Sequence, residues 1–188
     1  MATDEADRRL RPPGELELVR DFVNTLDLEK GTDRIGGPEE LGSWLAEKGL
    51  VAGAHRLSED DVARARGLRE ALRAILLANA GFPLVPEYVA GFVAAAKRAR
   101  LGVRAGEAGR IALVPAGEGL DRAIGRLLAV VFAAQENGTW PRLKACAGCR
   151  WALYDRTKNL SAAWCDPNKC GARARSRRYR ERRRGAPA

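Results

Sequence analysis

The sequence has few of the residues and motifs that carry enzymatic chemistry. Its 188 residues include one histidine, His55, which stands near a predicted helix start, where a surface or capping role is more common than catalysis. No glycine-rich phosphate loop, dinucleotide fingerprint or activated-nucleophile motif is present. No apolar run reaches the roughly 18 residues of a membrane span. We therefore expect neither an enzyme nor a membrane protein.

Acidic residues are scarce in the last quarter of the chain. Residues 1–141 contain 19 Lys/Arg and 21 Asp/Glu, a net charge of −2, whereas residues 142–188 contain 14 and 3, a net charge of +11. Lysine and arginine bind nucleic acid by neutralising its phosphates. The split predicts a near-neutral body joined to a basic module whose partner is a polyanion, with an anionic membrane surface as the weaker competitor.

The first residues lack the apolar stretch of a secretory signal. Residues 1–13 are charged and contain prolines instead. This pattern predicts a cytoplasmic protein, associated with the nucleoid if it binds DNA. Cysteines in that compartment are kept reduced, so the four present are better interpreted as metal ligands than as two disulfides.

Residues 1–139 contain five stretches with apolar side chains at helical spacing. We predict helices over 15–26, from Pro38 to about 49, from a capping signal at Ser58 to about 81, over 86–99 and over 120–135. Alternating segments on either side of a glycine-containing turn predict a β-hairpin near 101–114. The expected fold class is mainly α with one β-hairpin (α+β), with a helical domain at 1–139 and a small module at 140–188.

The four cysteines form two close pairs, Cys146-x2-Cys149 and Cys165-x4-Cys170. Four thiolates in a tetrahedral array suit zinc, and glycines beside both pairs permit the tight turns of a treble-clef-like finger. An ion with four sulfur ligands has no open position for water, so its role is structural. Two disulfides, four free thiols and an iron–sulfur cluster are the alternatives. We expect Trp151, Tyr154 and Trp164 to cover the metal, with base stacking as the alternative.

Eight arginines and one glutamate follow Cys170 within residues 171–184. As a helix this segment carries like charges at i, i+4, which repel, so it favours a polyanionic partner. Arginine can contact guanine edges or hold phosphates, and a solvated, partly disordered tail is the alternative. The residues predicted to bind nucleic acid are Lys158, Arg173, Arg175, Arg177, Arg178, Arg180 and Arg182.

The last quarter of the chain resembles the CGNR zinc finger over residues 143–184. The shared features are the cysteine pairs, Tyr154-Asp155, Thr157-Lys158-Asn159, Trp164-Cys165 and Cys170-Gly-x-Arg173. Ala172 stands where the family signature has asparagine. The segments Phe22–Leu26 and Pro38–Leu45 resemble the ABATE domain that usually precedes this finger.

The resemblance implies a stress-responsive bacterial transcription regulator with one structural zinc ion and DNA as its partner. A homodimer is a further expectation. An RNA-binding or ribosome-associated zinc protein and a protein-interaction adaptor are the alternatives. We expect no nuclease, because the C-terminal module has no histidine to hold a catalytic cation.

Four residues on the predicted helices of the N-terminal region are polar or aromatic among apolar neighbours. They are candidates for the lining of a small-molecule effector pocket, although helix capping and hydrogen bonds between helices explain them equally well. The four are Asn24, Thr25, Trp44 and Arg69.

Overall fold

The helices of the N-terminal region form close to their predicted bounds. In the computed structural model, which describes residues 10–51 and 56–185, they are α1 (Leu16–Val23), α2 (Pro38–Glu47), α3 (Glu59–Asn79), α4 (Pro86–Arg98) and α5 (Gly119–Glu136). The signal before α3 is a reciprocal capping box. The Asp61 N–H donates to Ser58 Oγ (3.2 Å) and the Ser58 N–H donates to the Asp61 carboxylate (3.0 Å). His55 lies outside the described residues.

Helix α1 ends before the predicted residue 26 because the chain enters a short antiparallel hairpin. Strands β1 (Leu26–Asp27) and β2 (Thr32–Asp33) pair in the register Leu26↔Asp33. The Asp27 carboxylate fixes the turn between them by accepting hydrogen bonds from the N–H groups of Glu29 (3.0 Å) and Lys30 (3.1 Å). Gly31 closes the turn with a φ of 67°, a conformation that favours glycine.

The predicted hairpin near 101–114 is confirmed. Strands β3 (Leu101–Ala105) and β4 (Ile111–Pro115) pair antiparallel along their whole length, from Leu101↔Pro115 to Ala105↔Ile111. The hairpin packs against α5 at Gly125, where an added Cβ would lie 3.2 Å from Pro115 Cβ. Absence of a side chain at Gly125 therefore permits the close approach of strand and helix.

A third two-stranded sheet completes the larger apolar core of the described residues. Strands β5 (Leu143–Ala145) and β6 (Ala152–Tyr154) form a short antiparallel hairpin. Its buried side chains belong to the same core as those of the helices, and the contributors from the hairpin are Leu143, Ala145, Ala152 and Tyr154. The segment after the predicted boundary at residue 139 thus supplies part of the core of the segment before it.

The last described residues form a helix that follows the second cysteine pair. A tight helical turn at Pro167–Gly171 leads directly into α6 (Ala172–Gly185). Among the described residues, none of the helices combines the length and hydropathy that crossing a lipid bilayer requires.

Candidate metal centre and nucleic-acid interface

The four cysteine sulfurs converge on one point at the end of the β5–β6 hairpin. The Sγ atoms all lie within 4.8 Å of one another, with 3.4 Å between Cys149 and Cys165 and 3.7 Å between Cys165 and Cys170. Zinc–sulfur bonds of about 2.3 Å in a tetrahedron place the sulfurs about 3.8 Å apart. The donor set and the spacing therefore fit one zinc ion with four protein ligands.

The first cysteine pair stands on a tight turn between β5 and β6. The Cys146 N–H donates to the Trp151 carbonyl (2.9 Å), and the Arg150 N–H donates back to the Cys146 carbonyl (3.0 Å). Arg150 completes this turn with a left-handed φ of 66°. Within the turn, an added Cβ at Gly148 would lie 3.3 Å from Cys170 Cβ, so glycine lets the two halves of the site meet.

The second pair brackets a turn that Asp166 organises. Its carboxylate accepts hydrogen bonds from the N–H groups of Asn168 (2.7 Å) and Lys169 (3.2 Å), and its carbonyl accepts from the Cys170 N–H (2.9 Å). Gly171 follows at a point where a Cβ would lie 3.3 Å from the Trp164 ring. The turn therefore delivers Cys170 and the first residue of α6 in a fixed orientation.

The convergence of the sulfurs shifts the pKa values of three of the thiols in different directions. Hydrogen bonds from Cys149 and Cys165 to the Cys146 sulfur lower the pKa of Cys146. The hydrogen bond with Cys146 raises the pKa of Cys149 to about 12. Hydrogen bonds with Cys146 and Cys149 raise the pKa of Cys165. A bound dication stabilises all four thiolates, so metal binding and release of these protons are coupled.

Of the three aromatic residues predicted to cover the metal site, two do so and Tyr154 does not. Trp151 and Trp164 pack with Leu153 against the cysteines in a small apolar cluster. Tyr154 belongs instead to the larger core, because alternate residues of a strand point to opposite faces.

A buried ion pair holds the loop between the two cysteine pairs. Asp155, which is fully buried, accepts hydrogen bonds from Lys144 Nζ (2.8 Å), from the Thr157 N–H (2.8 Å) and hydroxyl (2.7 Å), and from the Ala162 N–H (2.9 Å). Lys144 also donates to the Leu160 carbonyl. Burial alone would raise the pKa of Asp155, but these donors lower it to about 2. The folded structure therefore stabilises the charged form of the Asp155 carboxylate.

Three buried or half-buried side chains, one directly after α1 and two on α3, tie the metal-bearing hairpin to the body. The Asn24 amide donates to the Ala152 carbonyl (3.0 Å) and accepts from the Ala152 N–H (2.7 Å). Arg73 donates to the carbonyls of Arg150 (2.9 Å) and Val23 (2.7 Å). Asn79 donates to two further backbone carbonyls, those of Trp140 (3.0 Å) and Leu143 (2.9 Å). These contacts fix the hairpin against the body at points that are not metal ligands.

Helix α6 carries the arginine run away from the metal site. Ala174 in its first turn is buried, whereas every described side chain from Arg175 onward is exposed. One groove of the helix is lined by Arg173, Arg177, Arg180 and Arg184 together with Glu181. Of the other predicted residues, Arg175 folds back to donate to the Pro167 carbonyl (3.4 Å), Arg178 and Arg182 are exposed on α6, and Lys158 is exposed on the loop that Asp155 organises.

Comparison with protein families matches nearly the whole chain to two models. The ABATE model, described as a putative stress-induced transcription regulator, matches residues 16–149, which is 134 of 188. The chain belongs to this family. The CGNR zinc finger model matches residues 142–183. Together with the sulfur geometry, it identifies the four cysteines as the site of one structural zinc ion. A search of curated proteins found no match.

The two family matches overlap at residues 142–149, the segment that contains β5 and the first cysteine pair. This overlap covers the first strand of the hairpin, whose side chains Leu143 and Ala145 lie in the core of the helices. The ABATE and CGNR regions are therefore joined through a shared structural element rather than by a linker.

The four candidate effector residues of the ABATE region occupy structural positions. Thr25 donates to the Phe22 carbonyl (2.8 Å), Trp44 packs on Phe22 with ring centroids 5.4 Å apart, and Arg69 donates to both Asp33 carboxylate oxygens (2.7 and 3.1 Å). Asn24 also borders a surface cleft between α1, α2 and α5. An effector pocket at these residues stays a prediction.

Sequence reasoning missed the residues that join body and finger. Arg73 and Asn79 on α3, and Glu29, which pairs with Lys169 and Arg173 from the turn between β1 and β2, precede the finger by dozens of residues. Nothing in their local pattern marks their partners. Lys144 had a weak signal, since it is a charged residue between Leu143 and Ala145 in an otherwise apolar strand.

Proposed function

We propose that the chain is a transcription regulator that binds duplex DNA through α6. One observation carries this proposal: α6 begins two residues after the zinc ligand Cys170 and exposes arginine along its length. The family description supports a regulatory role. The body has a net charge of −2 over residues 1–141, so the attraction to a polyanion belongs to the finger.

The geometry of α6 suits the major groove of DNA. Its 14 residues correspond to a length of about 21 Å at about 1.5 Å per residue. A groove about 12 Å wide admits such a helix. Cys170 and the buried Ala174 fix the start of α6. The arginines that line the groove of α6 therefore approach the DNA from a defined direction. Some would hold phosphates and others would contact base edges.

Zinc in this mechanism supplies folding free energy and orientation. With four thiolate ligands it offers no open position to a substrate or water. Recognition therefore belongs to side chains of α6, helped by Lys158 on the neighbouring loop. Ala172, at the first position of α6, takes the place of the signature asparagine. If that asparagine contacts DNA, base preference should differ from that of relatives that carry it; if it orders the start of the helix, its loss should weaken the finger slightly.

The proposal is tested with the triple variant Arg177→Gln, Arg180→Gln, Arg184→Gln. We expect it to lose most of its affinity for a duplex DNA pool in fluorescence anisotropy, with unchanged zinc content, because the groove loses three of its four arginines. The control removes the same charge from the body by Arg98→Gln, Arg104→Gln, Arg110→Gln. Equal binding by the two variants, or a preference of wild type for structured RNA, would overturn the proposal.

Selection of bound sites from random DNA then addresses the remaining expectations. Palindromic sites with a fixed spacing would support a homodimer. Repeating the selection with cell-derived small molecules would test the effector prediction. Association with the nucleoid follows from DNA binding and is tested by microscopy of the wild type beside the triple variant.

A further inference from the structure

We propose that Lys169 and Arg173 form a phosphate-binding pair at the base of α6, and that Glu29 of the ABATE region occupies this pair as an internal competitor of nucleic acid. The inference rests on the proposed function and adds to it a binding residue, Lys169, and a means of control by the body.

Glu29 of the body bridges the two cations of the finger. Its Oε2 lies 2.8 Å from Lys169 Nζ, and its Oε1 lies 2.5 Å from Arg173 Nη2. Each oxygen therefore takes one cation, as two oxygens of a phosphate would. Charge-assisted hydrogen bonds of this kind are the ones that basic side chains make with nucleic-acid phosphates.

The carboxylate is presented by an ordered turn. Glu29 lies between β1 and β2, where the Asp27 carboxylate accepts the N–H groups of Glu29 and Lys30 and Lys30 Nζ lies 3.3 Å from Asp27. The Gly31 N–H donates to the Asp27 carbonyl (2.8 Å). The position of Glu29 is thus set by the body, whereas the position of its two partners is set by the finger.

Arg173 belongs to both the ion pair and the arginine groove. It lines the groove with Arg177, Arg180 and Arg184, so a phosphate strand that follows the groove toward the zinc site meets Glu29. The cations remain accessible, with 61% of the Lys169 side chain and 53% of the Arg173 side chain exposed. Exposed ion pairs stabilise weakly, so a polyanion can displace Glu29. The turn therefore lowers affinity without abolishing it, and a movement of β1–β2 would change DNA binding.

The experiment compares Glu29→Gln with Glu47→Gln in DNA titrations over a range of salt. Both changes remove one negative charge, and Glu47 is an exposed partner of Arg34 (2.7 Å) on the body. We expect Glu29→Gln to bind about fivefold more tightly than wild type at low salt and to show a slope of log K against log salt that is steeper by about one. Glu47→Gln should match wild type.

Lys169→Gln separates local competition from a general charge effect. In the wild-type background it should change affinity little, because Glu29 already occupies Lys169. In the Glu29→Gln background it should remove most of the gain. Additive effects of the two changes, equal affinities of Glu29→Gln and Glu47→Gln, or weaker binding by Glu29→Gln would overturn the inference.

The same titrations distinguish this inference from the proposed function. If the triple arginine variant of α6 loses binding while Glu29→Gln behaves like its control, the DNA-binding proposal stands and the competitor is refuted. If neither wild type nor Glu29→Gln binds duplex DNA, both are refuted. Binding by Glu29→Gln alone would support both.

Discussion

Asp155 is the residue on which the finger loop depends most. It is fully buried and accepts a salt bridge from Lys144, which is itself buried, together with hydrogen bonds from Thr157 and Ala162. Removing one member of a buried pair leaves the other charge uncompensated, which destabilises more than the net value of the pair. The loop from 155 to 162 therefore has one side chain as its organising centre.

We expect Asp155→Asn to lower the free energy of unfolding by about 3 kcal/mol at pH 7, because the Lys144 ammonium loses its counter-charge inside the protein. Urea unfolding in the presence of zinc measures the change. Glu47→Gln, which breaks the exposed ion pair with Arg34, should change the same quantity by less than about 1 kcal/mol. A similar effect of the two substitutions would contradict this account.

The difference in free energy of unfolding between wild type and Asp155→Asn depends on pH with a defined sign. The pKa of Asp155 in the folded protein is about 2, below its ordinary value of 3.8, so folding favours the charged form. The stabilisation, about 2 kcal/mol, is complete above about pH 4 and is lost as the pH falls from about 4 towards 2. The gap between wild type and Asp155→Asn should narrow over that interval in unfolding series, and a gap that widens would refute the assignment.

Single residues were the hardest part to assign from sequence. Asn24, Thr25 and Arg69 are polar groups on predicted apolar helices, a pattern that fits a ligand pocket, helix capping or hydrogen bonding between elements. In the structure Asn24 binds Ala152, which is 128 residues away, and Arg69 binds Asp33. A sequence pattern reports that a polar side chain needs a partner but does not identify a partner so distant along the chain.

At the scale of elements, the β5–β6 hairpin is held from two sides. Its cysteine turn contributes to the zinc site, and its backbone is tied to the body by Asn24 and Asn79. The Asn24 amide satisfies both the N–H and the carbonyl of Ala152, as a neighbouring strand would. Zinc affinity should therefore depend on a residue that touches no zinc ligand.

We expect Asn24→Ala to accelerate transfer of zinc to a chromogenic chelator several-fold, because the hairpin that carries Cys146 and Cys149 loses two buried hydrogen bonds, each worth about 1 kcal/mol or more. Asn159→Ala, at an exposed loop position outside both cysteine turns, serves as the control. Identical transfer rates for the two variants would mean that the metal alone positions the hairpin.

Longer helices and strands are easier to predict from the sequence than shorter ones. Helices of 8 to 21 residues repeat their apolar spacing often enough to be recognised, and the five-residue strands β3 and β4 alternate visibly. Strands β1 and β2 have two residues each and β5 and β6 have three, too few to show a period of two. The cysteine pairs were predictable because metal geometry imposes their spacing.

At the scale of the whole molecule, the β5–β6 hairpin of the finger contributes to the core of the body. A separate finger at 140–188, as the sequence suggests, would unfold alone when zinc is removed. Because Leu143 and Ala152 are fully buried in the core of the helices, loss of the hairpin would expose apolar surface of the body as well. Metal binding contributes free energy to whatever unit folds with it.

We therefore expect a chelator to lower the melting temperature of the entire molecule in calorimetry, with one cooperative transition that involves the helices. Cys146→Ser, which cannot complete the ligand set, should start at the lower temperature and respond little to the chelator. Two transitions, of which the larger is insensitive to the chelator, would show that the body folds independently.

The side chains of α3 that bind the later hairpin have a consequence for synthesis of the protein. Arg73 and Asn79 are made early, yet the carbonyls that they bind belong to Arg150, Trp140 and Leu143. While the chain grows, the helical bundle leaves the ribosome before Asn79 and Arg73 Nη1 have met these carbonyls, and the gap later filled by β5 and β6 is still open. Protein synthesis must pass residue 154 before the body is complete, so a chain truncated in front of the finger is expected to depend on chaperones rather than fold as a free-standing domain.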